Sequence, residues 1–78
     1  STSLVHPREV FAAALREAAA SIVVVHNHPS GDPEPSPEDH EVTKTLKEAG
    51  KLLGIPLDDH IVVGSPGRFV SFRRRGML

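Results

Sequence analysis

The chain has no cysteine, tryptophan or tyrosine, one methionine and three phenylalanines in 78 residues. Without cysteine there is no disulfide framework and no thiolate for a metal. A transition-metal site would have to use imidazole and carboxylate. With so few aromatics the core must be aliphatic, and a chain this short buries only about 60–65% of its unfolded surface. A bound metal would add useful stability. No apolar run approaches the roughly 18–20 residues of a membrane span, and no secretory signal is visible. The expectation is a cytoplasmic chain with no membrane partner. Nine Lys and Arg against ten Asp and Glu give a formal charge of −1, so neither sign dominates enough for global attraction to nucleic acid. Acidic residues gather between Asp32 and Glu41. Arg68, Arg73, Arg74 and Arg75 make the C-terminus basic, which reads first as a solvated tail and second as a surface for DNA phosphates.

Ser1 to His6 reads as the tail of a strand. His6-Pro7 then starts a helix, with Pro at its first position and Glu9 favouring the dipole. Val10, Phe11, Ala14, Leu15 and Ala18 form one apolar stripe, which predicts a helix from Pro7 to Ala20. The run Ile22-Val23-Val24-Val25 is β-branched throughout and predicts a strand buried on both faces, continuing through His28 until Pro29 stops it. Pro29 to Pro35 is a stiff loop. Ser36 as N-cap, Pro37 at N1 and Asp39 at N3 open a second helix, whose apolar positions Val42, Leu46, Ala49 and Leu53 run to the Gly54 stop. Leu57–Val63 and Arg68–Phe72 predict a β-hairpin around Gly64-Ser65-Pro66-Gly67. Gly76 to Leu78 is expected to fray. The order is α-β-α-β-β, one α/β domain over residues 1–78.

Two residues apart on an extended segment, His26 and His28 point to the same side and can offer both imidazoles to one ion. Asp39, one turn before Val42 on the inward face of the second helix, is the natural third ligand. Two His and one Asp leave a fourth position for water, the pattern of a catalytic zinc, whose water becomes a nucleophile near neutral pH. Ser36 and Asp39 also fit an N-cap, and the two readings are compatible. His6 reads as the residue leading into the first helix, His40 as solvated. His60 reads as a strand-end residue satisfying backbone groups, with orientation of a ligand as the alternative. Asp32 and Glu34 read as solubilising, or as orienting the histidines. The letters His-Asn-His do not make an HNH nuclease, whose three residues are dispersed, and a cupin would need many more strands.

The spacing His26-x-His28, seven residues, Ser36, two residues, Asp39 resembles the JAMM motif of JAB/MPN-domain metalloproteases. Leu4 to Phe11, His26 to Pro33, Leu53-Gly54-Ile55 and Asp59-His60-Ile61 resemble the DNA repair protein RadC family over nearly the whole chain. The resemblance implies a cytidine-deaminase-like α/β sandwich, here partial, and a zinc-dependent hydrolase of peptide or isopeptide bonds. It implies zinc on His26, His28 and Asp39. Ser36 would help bind the metal water or the oxyanion of the tetrahedral intermediate. The family's general-base Glu belongs to an upstream strand, and Glu9, Glu17, Glu38 and Glu41 all lie in helices. The chain is therefore expected to be a C-terminal fragment of such a domain, weakly active or inactive alone.

Three functions follow. The first is the zinc-dependent peptidase, with a peptide or protein substrate. The second is a non-catalytic module of DNA repair that binds nucleic acid or protein. The third is a structural piece that self-associates through an exposed strand edge.

Overall fold

A computed structural model describes residues 5–78. The strand tail expected before His6 lies mostly outside the described residues. The elements are α1 (Pro7–Arg16), β1 (Ile22–Asn27), α2 (Pro37–Leu53), β2 (Leu57–Val63) and β3 (Phe69–Ser71), in the α-β-α-β-β order the sequence predicts. The fold is mixed α/β. The sheet order is β1-β2-β3. β1 and β2 are parallel, with α2 as the crossover that parallel pairing requires, and β2 and β3 form the antiparallel hairpin.

The register sorts the side chains. Val24 pairs with His60, His26 with Val62, and Val62 with Val70, so these five share one face of the sheet. That face is covered: Val24, Val62, Val70 and His60 are buried, and Phe11, Ala14, Leu46, Ile55, Leu57 and Phe72 complete the apolar interior. Val25 pairs with Ile61 and Val63 with Phe69 on the opposite face, where Val25 is 57% and Phe69 48% exposed. The expectation that the valine strand is buried on both faces is therefore wrong. Among the described residues β1 is an edge strand, and helices cover only one side of it.

Two ends also differ from expectation. α1 stops at Arg16, four residues early, because the chain must turn into β1. Ala18 takes φ 51°, Ala19 N–H donates to the Ala14 carbonyl at 2.9 Å and Ala18 N–H to Leu15 at 3.2 Å. This double closure is a Schellman motif with alanine where glycine is usual. At the C-terminus the expected fraying is absent: Met77 N–H donates to the Phe72 carbonyl at 2.8 Å, and Leu78 packs on the core.

The stop of α2 is the expected one, Gly54 at φ 73°. Among the described residues no helix is long and apolar enough to cross a membrane.

Ala18→Gly should stabilise the protein. The left-handed conformation is costly for an L residue, and the entropy glycine gains in the unfolded chain offsets only part of that relief. The expected gain is about 0.5–1 kcal/mol, seen as a Tm rise of about 2–8 °C in thermal unfolding.

Candidate metal centre

β1 delivers His26 on the covered face of the sheet. His28 lies just past the strand, still tied to β2 through its N–H, which donates to the Val63 carbonyl at 3.0 Å. The two rings stand 4.9 Å apart in an edge arrangement. Opposite them, α2 opens with a complete capping box. Asp39 N–H donates to Ser36 Oγ at 3.1 Å, and Ser36 N–H donates to Asp39 Oδ2 at 2.7 Å. The cap aims the buried Asp39 carboxylate at the histidines. His26 Nε2 lies 3.2 Å from Oδ1 and His28 Nε2 lies 2.9 Å from Oδ2.

The loop between them is pinned to the β2–β3 turn. The Gly31 carbonyl accepts from Ser65 N–H at 2.9 Å and from Arg68 Nη2 at 2.7 Å. The approach is close enough that a Cβ on Gly64 would meet the Gly31 oxygen at 2.2 Å. Held this way, the loop presents the Asp32 main-chain carbonyl 2.8 Å from His28 Nδ1. A carbonyl only accepts, so Nδ1 carries the hydrogen, and neutral His28 has its lone pair on Nε2.

That lone pair faces a carboxylate oxygen at 2.9 Å, a contact that is attractive only with a cation between, a proton or a metal ion. His26, His28 and Asp39 each offer a ligand atom, and these atoms all lie within 4.8 Å of one another. Two atoms each about 2.0–2.1 Å from a tetrahedral ion sit roughly 3.3 Å apart, against 3.2 and 2.9 Å from the histidines to the two different Asp39 oxygens and up to 4.8 Å across the three ligand atoms. The three residues could together hold a metal ion, and Asp39 is ready for it. Burial would raise its carboxyl, but the bond from Ser36 N–H, first among the contacts with Ser36 and the two histidines, helps outweigh burial and hold it below the ordinary 3.8.

The structure brings His26, His28 and Asp39 together and places Ser36 at the cap beside them. His40 is exposed, as expected, 5.2 Å from the Phe72 ring. Asp32 contributes its backbone to His28 while its carboxylate accepts from Glu34 N–H, and Glu34 pairs with Arg75 at 2.8 Å. His60 departs most from expectation. It is fully buried, stacked on Phe72 at 4.8 Å, and bonded to Thr43 Oγ1 at 2.5 Å and His26 Nδ1 at 3.2 Å. Burial first, and then His26, keep its imidazole below the ordinary 6.5, against the opposing pull of Asp39 and Asp59. Thr43, invisible as a site residue in the sequence, is buried beside it. One concavity lies away from these groups. It is an apolar groove of about 470 Å³ between α1 and β1, lined chiefly by Val10, Ala14, Ile22, Val23 and Val25.

The model of the RadC-like JAB domain family matches residues 1–77. A UPF0758 protein of Trichlorobacter lovleyi is 59% identical over 76 residues, covering 97% of this chain and 33% of the relative. Those of Shouchella clausii and Bacillus licheniformis are each 59% identical over all 78 residues, 34% of their own length. The chain spans about a third of the length of the curated relatives it matches.

The strand bearing His60 is secured by Asp59, which accepts from Ser71 Oγ at 2.5 Å and from the N–H groups of His60 at 2.7 Å and Arg73 at 2.9 Å. Burial raises the Asp59 carboxyl, but these bonds and the Arg73 charge lower it further, to a net value below 3.8. A depressed carboxylate contributes stability above its unfolded pKa and loses it as pH falls through the folded value. Asp59→Ala should therefore cost about 1–3 kcal/mol at neutral pH by stranding these donors. In denaturant titrations its gap from the parent should narrow only as pH falls below 3.8.

Proposed function

Because the chain belongs to the RadC-like JAB domain family, we propose that it is the metal-binding portion of a zinc-dependent hydrolase of the metallopeptidase or isopeptidase type, acting on a peptide-like carbonyl. The observation that carries this reading is the convergence of His26 and His28 on the single capped carboxylate of Asp39. In this reading those three residues hold the zinc and leave a fourth position open. Bound zinc supplies Lewis acidity and makes water acidic enough to act as a nucleophile near neutral pH.

The chain's own residues supply position and charge. Asp39 offsets part of the ion's charge, while the cap and the Asp32 carbonyl keep carboxylate and imidazole from turning. Ser36 Oγ accepts from Asp39 N–H, a bond that leaves its hydroxyl hydrogen to donate to an oxyanion developing on the substrate. Among the described residues no glutamate joins the cluster. The reading assigns the proton acceptor to a part of the longer protein outside this chain, so that the chain alone binds zinc but turns over weakly or not at all. A cytoplasmic setting goes with a cysteine-free chain.

Nucleic-acid binding through the C-terminal arginines has less support. Arg68 donates to the Gly31 and Ser65 carbonyls, Arg73 to the Asp58 carbonyl and Arg75 to Glu34, and Arg74 lies 5.3 Å over the Phe69 ring. All four have contacts within the fold.

Protein prepared without chelator should contain close to one zinc per chain by elemental analysis, and His26→Ala should contain almost none. A zinc-free parent, or a His26→Ala variant with the same content, would remove the basis of this function.

A further inference from the structure

His60 is buried among groups that fix where its hydrogen sits. The Asp39 main-chain carbonyl can only accept, and the Thr43 hydroxyl donates to it at 2.9 Å. The Thr43 oxygen therefore meets His60 Nδ1, 2.5 Å away, as an acceptor, and Nδ1 carries the hydrogen. A neutral imidazole has one N–H, so His60 Nε2 is a lone pair. The donor to it is His26 Nδ1, 3.2 Å distant. His26 is left with its own lone pair on Nε2, the nitrogen that faces Asp39 Oδ1, where, as at His28, a cation between them makes the contact attractive.

We propose that His60 is a positioning residue: with Thr43 it holds His26 as the Nδ1–H tautomer and turns the Nε2 lone pair into the three-ligand site. The inference rests on the zinc reading above. The chain of contacts starts at the Asp39 carbonyl and ends at the Asp39 carboxylate, so the first turn of α2 supplies one ligand and sets the tautomer of another. Phe72, stacked on His60 at an interplanar angle of 9°, keeps the ring in the plane that this alignment needs. His28 reaches the same tautomer by a different route, through the Asp32 carbonyl. The two ligands are thus prepared by separate parts of the chain, one by the loop and one by β2.

The test pairs zinc affinity, measured by competition with a chromophoric chelator, with histidine ¹⁵N chemical shifts of the intact chain. His60→Phe keeps a ring against Phe72 but loses the acceptor, and should weaken zinc binding about 10–100-fold. His60→Gln offers a carbonyl oxygen to His26 Nδ1–H at similar reach and should recover most of that loss. Thr43→Val should bring the Nε2–H form of His60 into the spectrum. In the metal-free parent the shifts should place the His60 hydrogen on Nδ1.

A metal-free parent with His60 as the Nε2–H tautomer would overturn the inference, and so would His60→Phe binding zinc within about twofold of the parent. A parent that binds no zinc fails the functional proposal itself, while the shifts still decide the direction of the bonds. If His60→Phe does not fold, the His60→Gln affinity and the parent spectrum decide between the two outcomes.

Discussion

The oxygen of Asp39 that faces His28 is the same oxygen that accepts the Ser36 N–H. This sharing ties helix initiation to the chemistry of the site. The capping box satisfies two donors that the first turn of α2 would otherwise leave open. The positive end of the helix dipole favours the ionised carboxylate that a cation shared with the two histidines would meet. Rotating the carboxylate would break the cap, and unwinding the cap would release the carboxylate. The histidines are held as firmly, since the parallel ladder fixes His26 and the Val63 carbonyl fixes the backbone of His28. Preorganisation of this kind lowers the ordering cost of binding an ion.

What could be read from the sequence was what depends on neighbours in the chain. Ser36-Pro37-Glu38-Asp39 carries its own cap chemistry, the alternation of His26 and His28 is a property of any extended segment, and Gly54 marks the end of α2. What could not be read depends on contacts across the fold. His60 acts on His26 from 34 positions away, through a register that periodicity does not encode. Thr43 looks like any polar helical residue until the packing buries it. The alanines after Arg16 are the strongest helix formers, yet the route into β1 overrides them at Ala18. The valines of β1 gave a false signal of burial on both sides, because a β-branched run reports strand propensity more surely than it reports which faces are covered.

The arginines add contacts that the sequence does not reveal. The basic run is exposed, as a solvated tail would be, and in addition Arg68 and Arg75 contact the Pro29–Pro35 loop, one through Gly31 and one through Glu34.

Val25, Ile61, Val63 and Phe69 share the side of the sheet that the helices leave bare, with Val23 close by on β1. Water meets there a contiguous stripe of aliphatic and aromatic carbon, the kind of surface that monomeric proteins keep small. A lysine or glutamate introduced at Val25 could improve handling at high concentration without touching a ligand, because alternation along β1 sends that side chain away from His26.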